Sequence, residues 1–325
     1  MIADLPLTEL QTYLGRMAAP DDFNEFWYDS VRMLDNHDTH LQYESNVNTN
    51  DFAICSDLFF FGLGGARIHC KFARPKFSEA PSPAVILFHG YGDSSPDWFN
   101  LFPYVACGYA VLALDCRGQG GLSQESGIEF GNTFIGHLIR GIENGPESLL
   151  FRYIYLDCLS AVRILMNSDG IDEGRIASIG ASQGGGLAVV AAALEPKIHT
   201  LISVYPFLSD YLRVKELQAD RDAYAGLSEY FRFYDPTHSN TDEFFRKMNY
   251  IDVQHFASNV RAKTLMVTAF KDEICPPSTQ FAIYNKIKAE KEMMSYPDFK
   301  HEKLRGLDDY VLRFLGKSFK GTPNR

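Results

Sequence analysis

The residues best suited to chemistry surround a serine in the stretch IGASQGGGLA, residues 179–188. Ser182 has a glycine two positions away on each side, Gly180 and Gly184. The preceding RIASIG is typical of a buried strand, and the following GGGLAVVAAALEP of a helix. G-x-S-x-G between a strand and a helix indicates a nucleophile elbow, a strained turn that exposes the serine hydroxyl. Side chains at the two glycines are expected to clash there. The alternative is a plain tight turn.

A serine nucleophile needs a base that takes its proton and a third group that orients the base. After a nucleophile elbow the acid follows in the chain, and the histidine comes last. Asp272 follows the apolar run KTLMVTAF, and His301 lies in a loop after another short strand. Open α/β sheets place their chemistry at these carboxyl ends of strands. We therefore predict a triad of Ser182, Asp272 and His301, with Glu273 as the nearest rival for the acid.

The same chemistry requires donors for the negative charge that develops on the carbonyl oxygen. One donor is expected to be the backbone N–H of Gln183, directly after the serine, and the other that of Tyr91, in the loop after an early strand. The alternative for the second is a simple glycine turn leaving a strand. His89, His238 and His255 fit the role of base less well, because they precede the acid in the sequence.

Apolar runs that alternate with helix-like sequence predict the architecture around these residues. Residues 47–73 favour two strands joined by the glycine-rich turn Gly62–Gly65. Five continuous apolar runs follow: AVILFHG, YAVLALDCRG, RIASIGAS, TLISVYP and KTLMVTAF. Continuous apolar strands that alternate with helices are typical of a buried, mostly parallel sheet. We predict an α/β fold with helices on both faces of this sheet.

Two segments lie outside the alternating pattern. Residues 6–36 have apolar residues at helical spacing around a break at Pro20, so we predict an N-terminal helical segment within residues 1–40. Residues 207–258 contain no apolar run of this kind and predict a helical insertion near the active site. No linker or repeat interrupts the chain, and we expect a single domain over residues 1–325.

Composition excludes several classes of partner. The chain has 325 residues, 46% of them hydrophobic, and a net charge of −10 without a long basic run. Nucleic acid and anionic membrane surfaces are therefore not expected as partners. No apolar run approaches the roughly 18 residues of a membrane helix, and the N-terminus does not resemble a secretory signal. The six cysteines contain no C-x-x-C pair, and we interpret them as reduced thiols of a cytoplasmic protein.

Several longer motifs resemble those of carbohydrate esterase family 7, which contains cephalosporin-C deacetylases and acetyl xylan esterases. Its three signatures resemble RGQGG at 117–121, GASQGGGLA at 180–188 and HE at 301–302. The likeness extends to YLDCLSAVRIL, YPFLSDYLR and DEICPPSTQFAIYNKI, and it covers most of the chain from about residue 55. The resemblance implies an α/β-hydrolase fold. It also implies the catalytic roles predicted above for Ser182, Asp272, His301, Tyr91 and Gln183.

The resemblance also implies supporting residues and an assembly. Arg117 and Gln119 match an Arg-Gly-Gln motif, for which we favour a structural role in bracing the loops that hold the elbow. Family members are cytoplasmic and often hexameric, so a homo-oligomer is expected. The sequence departs from the family pattern at 92–97, at 144–152 and at Ala223, all of which we expect to border the substrate cavity.

Together these features predict a serine esterase that removes acetyl or other small acyl groups. The expected substrates are small, O-acetylated carbohydrates or related polar esters such as cephalosporin C. No cofactor is required by this chemistry, and no metal-ligand spacing is visible. The alternatives are another acyl hydrolase of the same fold, such as a peptidase or a hydrolase of larger esters, and a non-catalytic binding protein.

Overall fold

One mixed sheet organises the chain. In the computed structural model, which describes residues 4–125 and 136–320, the strands follow the order β1-β2-β3-β5-β4-β6-β7-β8-β9. From β4 to β9 the neighbours run parallel, and the first three strands join antiparallel. The strands are β1 (Gln42–Ser45), β2 (Ala53–Phe61), β3 (Arg67–Pro75), β4 (Ser82–Phe88), β5 (Ala110–Leu114), β6 (Ile171–Ala181), β7 (Thr200–Val204), β8 (Lys263–Ala269) and β9 (Lys291–Tyr296). The predicted, mostly parallel sheet is confirmed.

Helices connect these strands and cover both faces of the sheet. They are α1 (Leu7–Leu10), α2 (Phe23–Arg32), α3 (Trp98–Ala106), α4 (Leu150–Met166), α5 (Gln183–Leu194), α6 (Tyr211–Glu216), α7 (Ala225–Phe233), α8 (Thr241–Met248), α9 (Val253–Phe256), α10 (Pro277–Lys286) and α11 (Leu307–Lys320). None of the helices that the structure describes has the length and apolar character needed to cross a bilayer.

The alternation of side chains along each strand divides the core into two sides. Ile86 of β4 packs with α4 and α5 on one face, whereas its neighbour Val85 packs with α11 on the other. Leu201 and Ile202 of β7 divide in the same way. A strand buried on both faces has no polar side to expose, which explains the continuous apolar runs in the sequence.

The N-terminal segment is helical only in part, which corrects the prediction for residues 6–36. Its helices cover four and ten residues, and residues 11–22 between them are not α-helical. Between the two helices, Gly15 has a φ of 87°, a left-handed conformation that a helix does not contain. The Tyr13 hydroxyl donates to Asp210 at 2.8 Å, so contacts made far along the chain determine its path.

The stretch 207–258 forms a set of short helices, α6 to α9, as the sequence predicts. Its first residues lie against the sheet edge rather than on the surface: the backbone N–H of Phe207 donates to the carbonyl of Ser182 at 2.9 Å. Strand β1 has no counterpart in the prediction, because all four of its side chains are exposed and leave no apolar pattern.

A buried ion pair joins the loop after β5 to α4. The Arg117 guanidinium donates two hydrogen bonds of 2.6 Å to Asp157 and a third to the carbonyl of Leu63. Both side chains are almost fully buried. A Cβ on Gly62 would lie 2.2 Å from the Asp157 carboxylate, so only glycine permits this turn to cover the pair. Arg117, for which the sequence predicts a bracing role, is thus paired with Asp157 of the YLD motif in α4.

Neutralising Asp157 is expected to leave a buried cation without its counter-charge. Asp157→Asn should therefore lower the free energy of unfolding by about 3–5 kcal/mol, the usual cost of breaking a buried pair. Asp35→Asn is the matched control, because Asp35 pairs with Arg163 at 3.5 Å on an exposed surface, where a pair is worth about 1 kcal/mol or less. Urea unfolding of both variants measures the difference, and equal losses would contradict the bracing role.

Candidate active site

Parallel strands bring the predicted site residues to a single edge of the sheet. The carboxyl ends of β4, β6, β8 and β9 lead into the loops that carry Tyr91, Ser182, Asp272 and His301. Because parallel strands end at the same edge, these loops meet there, as they do in open α/β sheets generally.

Ser182 lies at a sharp corner between β6 and α5. Its φ of 57° and ψ of −122° belong to a region that residues with side chains rarely adopt. A Cβ on Gly180 would lie 2.2 Å from the backbone of Gly184, and one on Gly184 would lie 2.0 Å from the carbonyl oxygen of Phe88. The two glycines are thus sterically required, and the strand-turn-helix context predicted for the serine is present.

A continuous hydrogen-bond chain links the three predicted triad residues. The Ser182 Oγ lies 3.0 Å from His301 Nε2, and His301 Nδ1 lies 2.8 Å from Asp272 Oδ2. A carboxylate only accepts, so Nδ1 donates to Asp272 and Nε2 is left to accept the serine proton. The other Asp272 oxygen accepts the backbone N–H groups of Ile274 and Cys275 at 2.9 and 2.8 Å. The acid is buried and held at both oxygens.

The rival residues lie in other environments. Glu273 forms an ion pair with Arg221 at 3.4 Å and does not bond His301. His89 donates through Nδ1 to the carbonyl of Gly90 and accepts the backbone N–H of Cys116 at Nε2. This pattern requires the neutral imidazole, and burial lowers the pKa of His89 accordingly. His89 therefore ties the end of β4 to the end of β5.

Cys275 is the one thiol beside the triad among the described residues. One potential ligand atom from each of Asp272, Cys275 and His301 lies within 4.8 Å of the others. Burial raises the pKa of Cys275 far above its usual value, and the charge of Asp272 raises it further. A neutral thiol is a poor metal ligand and a poor nucleophile, and the carboxylate and imidazole already bond each other. We therefore assign no metal role to this group.

The residues predicted to supply the oxyanion donors are Tyr91 and Gln183. Gln183 is the first residue of α5, where backbone N–H groups have no partner within the helix. Among the residues that the structure describes, no acceptor is bonded to the N–H of Tyr91 or of Gln183. The positive end of the α5 dipole adds to the attraction for an anion at this position.

Gln119 connects the loop that carries Tyr91 to the start of α5. Its side-chain amide exchanges two hydrogen bonds with that of Gln183, at 2.8 and 3.0 Å. Its Oε1 also accepts the backbone N–H of Gly92 at 2.8 Å. One residue therefore joins the loop of Tyr91 to the start of α5, which is the bracing role that the sequence suggested for the Arg-Gly-Gln motif.

A second brace was not predicted from the sequence. Asp115 accepts the backbone N–H groups of Ser95 and Leu122 and the ring N–H of His69, whose other nitrogen lies 2.9 Å from Asp57. Burial alone would raise the pKa of Asp115, but these hydrogen bonds hold it well below its usual value. His69 lies in the middle of β3, and only its polarity within an apolar run pointed to a buried partner.

Comparisons with known proteins find a family model and solved structures that match nearly the whole chain. The family model described as acetyl xylan esterase (AXE1) matches residues 1–318. The crystal structure of acetyl xylan esterase 1 from Thermoanaerobacterium sp. JW/SL YS485 is similar with a TM-score of 0.95 and 42% identity, covering 98% of this chain and 100% of that one. The acetyl xylan esterase from Paenibacillus sp. R4 gives 0.92 and 32%, with 96% and 99% covered. The predicted α/β-hydrolase fold and family resemblance are confirmed.

A longer relative is also similar. Acetyl esterase Axe7A of Xylanibacter ruminicola is 27% identical over 290 residues, which are 87% of this chain. The matched region is 63% of the length of that protein, so the chain spans less than two thirds of it.

Replacing Gln119 by a side chain of similar size without hydrogen bonds tests the link between the two oxyanion donors. Gln119→Met should lower kcat by about 10- to 100-fold, because misplacing a site group by about 1 Å costs up to that much. Gln42→Met, on exposed strand β1, is the matched control and should leave kcat unchanged. Steady-state kinetics on p-nitrophenyl acetate measures both. Equal kcat values in the two variants would show that the link does not position the donors.

Proposed function

This chain belongs to the acetyl xylan esterase family, a family of carboxylic ester hydrolases, and from that premise we propose that it is a serine esterase of small acyl groups. Its substrates are O-acetylated carbohydrates or related polar esters such as cephalosporin C, and its chemistry passes through an acyl-enzyme. The observation that carries the proposal is the hydrogen-bond chain from Ser182 through His301 to Asp272.

In the first half of the reaction, Ser182 Oγ attacks the ester carbonyl while His301 Nε2 takes its proton. Asp272 stabilises the imidazolium that forms and keeps its ring oriented. The negative charge on the carbonyl oxygen is stabilised by the N–H groups of Tyr91 and Gln183. His301 then gives its proton to the leaving alcohol, and the acyl group stays on the serine.

In the second half, water replaces the alcohol. His301 removes a proton from the water, the resulting hydroxide attacks the acyl-serine, and a second oxyanion forms between the same donors. The proton returns to Ser182 Oγ as the carboxylic acid leaves, and the acid then gives its remaining proton to solvent. These steps need no group beyond the side chains and peptides of this chain.

Bulky side chains around the elbow support a small acyl group. Tyr91 packs edge-on against Phe207 at 5.6 Å between ring centroids, and Phe207 packs against buried Tyr224 at 4.2 Å. Ile274 and Cys275 follow the acid by two and three residues and are held to it by their backbone N–H groups. A chain longer than acetyl would have to displace packed rings.

We assign the polar leaving group to a cavity that the triad side chains do not line but that their neighbours in the sequence border. It has a volume of about 680 Å³, and residues adjacent in sequence to catalytic ones line it: Gly90, Ala181 and Glu302. Asp93 to Asp97 contribute a polar wall, so the first of the three segments that depart from the family pattern borders this cavity. Residues 144–152 do not line this cavity; they lie at the start of α4, where Arg152 donates to Ser30.

The cytoplasmic location and the homo-oligomeric assembly stay predictions from the family resemblance. Size-exclusion chromatography with light scattering on the purified protein measures the assembly directly.

The function is tested by the rates of p-nitrophenyl esters with two, four and eight carbons. Overpacking by a longer chain costs about 1–3 kcal/mol, so kcat/KM should fall about 5- to 150-fold from acetate to butyrate. Octanoate should react more slowly still.

Ser182→Ala should fold normally and lose about 10⁴-fold or more in kcat, and a fluorophosphonate should label only the wild type. A preference for octanoate would contradict the acetyl specificity, and an unlabelled wild type would favour a binding protein.

Neighbouring carboxylates allow a matched test of the acid. Asp272→Asn should lower kcat by about 10³- to 10⁴-fold, because the imidazole loses its orienting acceptor and the charge that stabilises its protonated form. Glu273→Gln makes the same chemical change one residue later, where the side chain pairs with Arg221, and should retain most of the activity. Comparing kcat for acetylated substrates distinguishes them, and the reverse order would reassign the acid to Glu273.

A further inference from the structure

The two hydrogen bonds of His301 hold its ring only at its edge. Asp272 bonds Nδ1 and Ser182 bonds Nε2, both in the plane of the imidazole. The His301 side chain is 21% exposed, whereas Asp272 is fully enclosed. A partly exposed ring that is held only at its edge can swing toward solvent, and the catalytic geometry would be lost with it. A group packed on a face of the ring would prevent this motion.

Tyr205 provides such a group. Its ring packs on that of His301 with a centroid distance of 4.6 Å and an interplanar angle of 52°. Its hydroxyl donates to the carbonyl of Glu302, the residue after His301, at 3.2 Å. The tyrosine therefore contacts both the imidazole and the loop that carries it. Burial, followed by the charge of Asp272, raises the pKa of Tyr205 to about 12, so the phenol stays a donor at neutral pH.

The backbone of Tyr205 is itself fixed in an unfavourable conformation. Its φ of 31° lies in a region that a residue with a side chain rarely adopts. Its N–H donates to the carbonyl of Val267 in β8 at 2.7 Å, one strand along from its own. Strain of this kind persists where the surrounding structure enforces it, and it occurs preferentially at functional sites. Here the enforced turn aims the ring at the base of the triad.

We propose that Tyr205 is a positioning residue that packs on His301 and keeps the imidazole aligned between Ser182 and Asp272. The proposal rests on the triad chemistry proposed above and adds a fourth side chain to it. Tyr205 acts on the proton-transfer geometry and not on substrate affinity, so its loss lowers kcat and leaves KM nearly unchanged.

Three substitutions separate the ring, the hydroxyl and the strained backbone. Tyr205→Ala removes the ring and should lower kcat by about 10- to 100-fold with KM within about twofold. Tyr205→Phe keeps the ring and should stay within about threefold of wild-type kcat. Tyr205→Gly removes the ring but relieves the positive φ, and it should be as slow as the alanine variant. Tyr28→Ala, on an exposed side chain, is the control for tyrosine loss.

Each outcome bears on the proposal. It is overturned by an alanine variant that keeps more than half of kcat, by a phenylalanine variant as slow as alanine, or by a glycine variant with wild-type kcat. If the alanine variant does not fold, Tyr205→Leu fills the space without a flat ring and should still be slow.

A spectroscopic measurement makes the test independent of substrate. The proton that His301 Nδ1 shares with Asp272 should give a sharp low-field NMR signal in the wild type and in Tyr205→Phe. It should broaden or vanish in Tyr205→Ala, and an unchanged signal there overturns the proposal. If this pattern appears in a protein that hydrolyses no acetate ester, the positioning role stands and the esterase function fails. If the protein hydrolyses acetate esters and the signal is the same in all variants, the esterase function stands and the positioning role fails.

Discussion

The close approach of two backbones at the elbow is the constraint on which the site depends. Gly184 lies so near the carbonyl of Phe88 that a Cβ there would be 2.0 Å from its oxygen. The start of α5 therefore touches the end of β4, and the chain turns at Ser182 within one residue of leaving β6. This contact places the first N–H groups of α5 beside the loop that carries Tyr91. Nucleophile and oxyanion donors are thus consequences of the same packing.

Buried polar groups hold the loops that this packing brings together. Asp115, Asp157 and Gln119 each bond segments distant in sequence, and none of them contacts the triad. A loop of exposed peptide groups would fluctuate, whereas donors for an oxyanion must be in place before the charge develops. Burying charges is costly unless they are fully paired, and here every carboxylate oxygen of Asp115 and Asp157 has a partner. The buried polar groups therefore hold these loops in place, and removing one partner of a pair is costly.

The sequence predicts what is encoded locally and misses what depends on distant contacts. The role of Ser182 can be predicted because the strand, the turn and the helix that position it are adjacent to it in the sequence. The path of residues 11–22 cannot be predicted in this way, because Tyr13 bonds Asp210, nearly two hundred positions away in the sequence. The role of Tyr205 cannot be predicted for the same reason, because its contact is with a loop that follows a strand two places away in the sheet. Nothing in the sequence YPFL distinguishes Tyr205 from a core residue. Asp157 is visible only as a polar residue in an apolar helix.

We expect the substrate range to depend on which residues lie near the acyl group and which lie near the leaving alcohol. Ala223, one of the departures from the family pattern, is expected from the sequence to border the substrate cavity. Its neighbour Tyr224 is fully buried, and the Tyr224 hydroxyl bonds the backbone N–H groups of Leu208 and Ser209, which fixes its ring. Phe207 lies between Tyr224 and Tyr91. The ring that follows Ala223 in the chain is therefore held in place and packs against Phe207. The changed segment at 93–97 lines the cavity to which we assign the leaving alcohol, so we expect variation there to act on the alcohol rather than on the acyl group.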